Sequence, residues 1–299
     1  MSKHSHPKAH IALLLTNLLF GANFSVVKYV TPGVIQPFAL NILRAFSTCV
    51  LFWILFSMRT GIKAGFSSKD FWRFLLCGAM GVTFNQLLFI KGLSLSTSIH
   101  GALLMLVTPI LITIIAAIFL RERMNFLKIL GLVSGISGAT MLILSKDTSA
   151  TGIDVLTGDI LIAINAIFYA VYMVMVKPLM QHYSPLHVIR WVFTFGFFMM
   201  LPFSWTDFRQ TDFTSFTANH WLAIGFVMIC GTFLPYMFNT YALSKLHASV
   251  AGSYMYTQPV FATLIAIIFM GETFDWIKAL CGLLIFGGVY LTNLRSREE

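Results

Sequence analysis

The stretch TPILITIIAAIFLRE, Thr108–Glu122, is followed 150 residues later by QPVFATLIAIIFMGE, Gln258–Glu272. Each is an apolar run with proline second and glutamate last. At that offset, residues 93–138 share 13 identities with 243–288 over 46 positions. Apolar sequences match easily by chance, so the weight falls on other residue types. Pro109 meets Pro259, Glu122 meets Glu272, Lys128 meets Lys278 and Gly138 meets Gly288. Earlier parts join at slightly shorter offsets. Asn17 meets Asn165, and LNILR (40–44) meets LHVIR (186–190), which sets Arg44 against Arg190. The chain reads as one unit written twice, 1–148 and 149–299.

Composition says what solvent this unit needs. Hydrophobic residues make up 58% of the 299, charged residues 10%, and mean hydropathy is +0.82. Soluble domains carry about 25% charge, so the bilayer is the natural surrounding. The net charge of +9 does not suggest nucleic acid, because Lys and Arg fall between apolar blocks and not on one face. In a membrane protein such a bias reports orientation. The four cysteines lie inside apolar blocks with no CxxC pair, and read as small buried hydrophobes rather than a metal or disulfide framework. No metal ligand set and no cofactor motif stands out. The opening MSKHSHPKAH-IALLLTNLLF imitates a secretory signal, but no convincing cleavage site follows, and it reads as a retained first helix.

Apolar runs of about 20 residues fall at 9–29, 37–57, 71–91, 98–119, 126–145, 157–177, 187–205, 219–241, 249–270 and 275–294. The gaps are short and hold turn chemistry such as TPGVIQP and DTSATGID. Ten spans put both termini on one side. With that side cytoplasmic, inner segments hold 14 of the 20 Lys and Arg, outer segments hold 5, and Arg44 lies within a span. The bias predicts N-in and C-in. Five spans per unit is an odd number, so the second unit enters the membrane from the opposite side. The expected fold class is therefore all-α integral membrane, with ten transmembrane helices as two inverted five-helix repeats. That architecture recurs in secondary transporters, with the substrate near the midplane between the repeats.

Longer motifs carry a family likeness. LLFGANFSVVKYVTP, PFALNILRAF, GLSLSTSIHGALLMLVTPILITIIAAIFLRERM and LGLVSGISGATML in the first unit are echoed by ALSKLHASVAGSYMYTQPVFATLIAIIFMGETF and CGLLIFGGVYL in the second. The chain resembles the EamA family of the drug/metabolite transporter superfamily over nearly its whole length. The resemblance implies a ten-helix carrier for small metabolites, often an exporter of amino acids or related compounds. It also implies a cavity lined by spans 1, 3, 4, 6, 8 and 9. Members differ in cargo, so the likeness does not name the substrate.

Several residues suit such a cavity, and each also has a plainer structural reading. Asn17 and Asn165 sit at mid-span and need partners in hydrocarbon, whether substrate or another helix. Tyr169 and Tyr172, with Tyr254 and Gln258, make an amphipathic lining for a zwitterionic or aromatic molecule, or simply pack. Asn85, Gln86, Tyr236 and Asn239 are further polar groups at depth, able to bind cargo or bridge helices. Arg44 is the most costly residue at depth; it attracts a cargo carboxylate or pairs within the protein. Pro109 and Pro259 interrupt helices, as hinges or as static kinks. Glu122 and Glu272 close spans 4 and 9, as gate latches or loop ion pairs. His100 and Lys91 read as solvated turn residues, and no carboxylate falls at a span centre, although Asp159 lies near the start of span 6.

The leading expectation is a secondary transporter, an exporter by alternating access, whose partners are a small-molecule substrate and the lipid bilayer of a bacterial inner membrane, compatible with a monomer. A flippase for lipid headgroups or lipid-linked substrates is the alternative on the same fold. A membrane-embedded enzyme is disfavoured, because GxxxxGK[ST], HExxH and GxSG are absent.

Overall fold

The computed structural model describes residues 7–58, 65–120, 126–145, 152–243, 245 and 254–293. They form helices joined by short turns. Here α1 is Pro7–Val30, α2 Pro37–Ser57 and α3 Ser68–Leu95, while α4 comes in two pieces, Ser98–Met105 and Thr108–Leu120. α5 is Phe126–Leu144, α6 Val155–His182, α7 Pro185–Gln210, α8 Ala218–Asn239 with its last turn reaching Leu243, α9 Thr257–Met270 and α10 Trp276–Asn293. The first eight are long and apolar enough to cross a membrane, and α9 and α10 are shorter apolar helices.

Helix starts follow local chemistry. Pro37 and Pro185 open α2 and α7 at the first helical position, where the missing N–H costs nothing. Thr97, Asp154, Ser184 and Thr217 cap α4, α6, α7 and α8 by accepting a backbone N–H. The outer surface is apolar. Ile118, Phe126, Leu222, Phe269 and Leu283 are exposed, as a lipid-facing surface requires. Trp72, Trp205, Trp221 and Trp276 are exposed near helix ends, where amphipathic rings meet a membrane interface.

The two units share backbone irregularities. α3 contains a π-helical turn at Ala79–Thr83 and α8 one at Ile229–Phe233, again 150 residues apart. Such a turn widens the helix by one residue and frees backbone groups locally. Gly81 in the first lies under the Tyr172 ring, and Gly231 in the second lies under the Asn23 amide; a Cβ at either would overlap those atoms. α4 breaks at Leu106–Val107, where the N–H groups of both residues turn back three positions, to Leu103 and Leu104, just before Pro109. A break at Tyr256 precedes α9, just before Pro259.

α5 and α10 pack closely through small residues. A Cβ on Gly131 would meet the carbonyl of Gly288 at 2.5 Å, and one on Gly138 would meet the carbonyl of Cys281 at 2.9 Å. Between them the Ser134 hydroxyl donates to the carbonyl of Leu284 at 2.9 Å. α2 packs on α7, where the Trp53 indole donates to the Thr194 hydroxyl at 2.9 Å.

Candidate functional site

Among the described residues, two polar clusters bear on the site. The first is central. On α2, Asn41 and Arg44 are one turn apart on one face and are 0% and 6% exposed. The Asn41 amide donates to the backbone carbonyl of Gln86 at 3.1 Å, and the Asn165 amide of α6 donates to the neighbouring carbonyl of Asn85 at 2.6 Å. Two side chains from opposite units thus clasp the turn of α3 that follows its π-helical segment. The Arg44 Nε donates to the Thr232 hydroxyl at 3.1 Å, inside the equivalent segment of α8. Tyr172 is buried and Tyr169 and Tyr236 are half-buried in one aromatic cluster with Phe233, the Tyr169 and Tyr172 rings 5.9 Å apart.

Four polar atoms of this cluster are left over. Arg44 Nη1, Asn41 Oδ1, Gln86 Oε1 and Asn165 Oδ1 have no hydrogen-bond partner among the described residues. Buried polar groups are nearly always paired, and an unpaired one costs about 1–3 kcal/mol. One guanidinium donor and three amide acceptors are the complement of a carboxylate beside an ammonium.

Other expected residues lie elsewhere. Asn17 is buried, but its amide donates to Leu13 O of its own helix at 2.8 Å. Gln258 is half-buried on α9, its carbonyl against Gly21 of α1. Asn239 is half-buried, one turn beyond Tyr236. The Tyr254 hydroxyl meets His10 Nδ1 at 2.9 Å, beside Ala9 and Leu13 near the start of α1 and away from the central cluster. Arg190 is fully buried over the Phe56 ring at 3.4 Å and near Trp53 at 4.3 Å, a cation–π arrangement. Glu122 lies outside the described residues.

The second cluster surrounds the turn between α3 and α4, and sequence reading missed most of it. Glu272, 2% exposed, accepts the N–H groups of Ser98 and Ile99 at 2.7 and 2.9 Å, a carboxylate on a helix N-terminus. Gly271 makes that reach possible. Its φ of +64° ends α9, a conformation only glycine adopts without strain, and the Glu272 N–H turns back to Ala266 O at 3.2 Å. Lys28, from the end of α1, donates its Nζ to the carbonyls of Ser94 and Ser96 at 2.9 and 2.6 Å, a cation on the C-terminus of α3. Asp159 of α6 accepts from the Ser96 hydroxyl and contacts His100 Nδ1 at 2.6 Å.

His100 and Asp159 are both 0% exposed, which overturns the reading of His100 as a solvated turn residue. The reason is packing. Gly92 and Gly158 bring α3 and α6 into backbone contact, and the N–H groups of Ile153 and Asp154 cross to Leu95 O, so the turn is covered. Lys28 and Lys278, two of the five basic residues counted in the outer segments, are likewise buried. The available signals were weak ones. Asn41 stands one turn from Arg44, and Asp159 is a lone acid inside an apolar run.

Comparison with known proteins gives this arrangement its setting. The EamA-like transporter family matches twice, over residues 7–144 and 156–294. The chain is 23% identical over 291 residues to "Uncharacterized transporter YetK" of Bacillus subtilis, covering 97% of this chain and 88% of that one. It is 26% identical over 237 residues to "Probable terminal-alkyne amino-acid exporter" of Streptantibioticus cattleyicolor, covering 77% of this chain and 75% of that one. A solved structure titled "Crystal structure of protein" superposes with a TM-score of 0.65 at 18% identity, covering 99% and 100% of the two chains, a likeness of fold. Two family matches on a bundle with eight apolar spanning-length helices lead to one conclusion: this chain belongs to the EamA-like transporter family and is an integral, multi-pass membrane transporter.

Proposed function

We propose that the protein is a secondary carrier that exports a small carboxylate-bearing metabolite, an amino acid or close relative, by alternating access. The observation that carries this reading is the central cluster. Arg44 offers a free donor and Asn41, Gln86 and Asn165 offer free acceptors, all buried, beside Tyr169, Tyr172 and Tyr236. In this reading Arg44 holds the carboxylate, because guanidinium geometry suits it. The amide oxygens receive the ammonium, and the tyrosines cover the side chain.

The carrier is read as ten helices in two inverted five-helix repeats, N-in and C-in, in a bacterial inner membrane. Support comes from paired features at matching positions: the π-helical turns of α3 and α8, the breaks before Pro109 and Pro259, and the α5–α10 seam. Pro109 cannot return an N–H to the carbonyl of Met105, so the helix bends most easily there. Pro109 and Pro259 are the proposed hinges. Glu272 is the proposed latch of the outer end, with Glu122 its sequence counterpart.

The test is metabolite profiling of cells and medium, with the wild-type chain and with Arg44→Met. The expected result is one carboxylate-bearing compound that gathers outside with the wild type and stays inside with the variant at equal protein level. Accumulation unaffected by Arg44→Met would overturn the cluster as the binding site, and loss of a medium compound into cells would reverse the direction.

A further inference from the structure

We propose that the protein carries a second binding site, for a phosphate group, in the cavity at the end of the bundle where α6 turns into α7. The cavity has a volume of about 610 Å³, within the range of small-molecule pockets. Its walls come from segment 65–67 before α3, from the turn 182–184 and from His187 in the first turn of α7. The first wall belongs to one unit and the others to its repeat, so an occupant touches both. Tyr183 ties the walls together. Its hydroxyl donates to Asp70 Oδ2 at 2.8 Å and accepts the Ser67 N–H at 3.0 Å. Arg73 Nη1 stands 3.9 Å from Asp70 Oδ1. Asp70, the acid beside this wall, is thus engaged by protein groups.

His187 supplies the observation that points to a ligand. It lines the cavity and is 3% exposed. Arg190 Nη2 lies 3.2 Å from its Nδ1. A guanidinium only donates, so Nδ1 accepts and the ring proton sits on Nε2. That Nε2 has no hydrogen-bond partner among the described residues. The ring is held in place, stacked on Tyr183 at 5.0 Å and meeting Phe56 edge-on at 5.8 Å. Buried donors are nearly always paired, and a fixed one in a cavity-lining ring calls for an acceptor from outside the fold.

Other features of the cavity choose an anion with several oxygens. α7 begins at this wall, and a helix N-terminus favours negative charge. The Ser184 oxygen accepts the His187 N–H at 3.4 Å, which leaves its own O–H to donate. The Ser67 hydroxyl makes no cap bond to its helix. Donors thus stand on both sides of the cavity, which suits a tetrahedral oxyanion. Lys69 and Lys177 are exposed a few residues from the lining. Phe71 and Trp72 are exposed at the start of α3, and such rings mark headgroup depth. Phosphate reaches that depth in two forms, a lipid headgroup and the soluble ion, and both present the same oxygens.

Equilibrium binding to the full chain in a neutral maltoside detergent tests this with two labelled probes, inorganic phosphate and dihexanoyl-phosphatidylglycerol. Dihexanoylglycerol, which lacks the phosphate, is the reference for the lipid. The expected result is saturable binding of at least one probe. His187→Phe keeps the ring stack and removes the donor, and should weaken binding about 10- to 100-fold. Gly65→Glu adds a carboxylate at the exposed rim, where a new side chain meets nothing within 4 Å. It should leave the fold intact and weaken binding at least about tenfold by like-charge repulsion. His187→Gln, whose amide N–H reaches about as far as Nε2, should keep most of the binding. Lipid binding without ion binding names a headgroup site, and ion binding names a soluble phosphate; either upholds the site when Gly65→Glu weakens it. The proposal is overturned if neither probe binds, if dihexanoylglycerol binds as well as the lipid probe, or if Gly65→Glu leaves binding unchanged. None of these results touches the central cluster, which metabolite profiling judges separately.

Discussion

At the centre of the bundle, Arg44, Asn41, Gln86 and Asn165 are buried with polar atoms that nothing in the described protein satisfies. At the α3–α4 turn, Lys28, Asp159 and Glu272 are as deeply buried, yet each meets protein groups at hydrogen-bond distance. Those three side chains are completed by the fold, and the four central polar atoms are not. On the carrier reading proposed above, the incomplete central groups await a partner that arrives from outside. A buried group completed by the fold is built to hold the fold, and its removal should be felt in stability before it is felt in binding.

Substitutions can break or sharpen this contrast. The largest effect should come from Glu272→Ala, which strips the carboxylate from two backbone N–H groups and leaves Lys28 without its nearby counter-charge. Losing one partner of a buried charged set costs about 3–5 kcal/mol, readable as a large drop in thermal unfolding temperature in detergent. Arg44→Met should behave in the opposite way. Binding should weaken about 10- to 100-fold, the size of a lost charge-assisted hydrogen bond, while unfolding temperature holds or rises, because a buried cation has been replaced by an apolar chain. If Arg44→Met instead unfolds the protein and Glu272→Ala only weakens binding, the roles of the clusters are exchanged.

Pro109→Ala with Pro259→Ala comes next. Restoring the backbone hydrogen bonds should straighten α4 and α9 and slow turnover about tenfold, with affinity changed less. Normal turnover with collapsed affinity would sink the hinge. Gly271→Ala should be the mildest, costing about 1–2 kcal/mol for a non-glycine residue at positive φ, and showing at the Ser98 and Ile99 amides as faster exchange.

The large features were legible because they are periodic or punctuated. Apolar runs of membrane length marked the helices: each expected segment overlaps a described helix, and eight of those helices are of spanning length. The start of the ninth, expected at 249, precedes the first residue described there, Tyr254. The prolines marked the breaks at 106–107 and 256. The π-helical turns were invisible, since no residue type encodes an extra residue per turn and the cause lies in what packs there, Tyr172 on Gly81 and Asn23 against Gly231. Within the site, Arg44, Gln86, Asn165 and the three tyrosines were readable as polar groups at depth. Asn41 was not, although it stands on the face of Arg44. His100 was misjudged because a turn near a membrane surface is solvated by default, and the close packing of α3 on α6 at Gly92 and Gly158 covers it.

The seam between α5 and α10 has a different kind of consequence. Ser134 donates to the carbonyl of Leu284, its own counterpart 150 positions on, and the contact of Gly131 with Gly288 is matched by that of Gly138 with Cys281. A pairing that maps onto itself when the two units trade places has nothing to rearrange. Such a pairing can serve as an axle, the part of a moving assembly that stays still so that everything around it can turn.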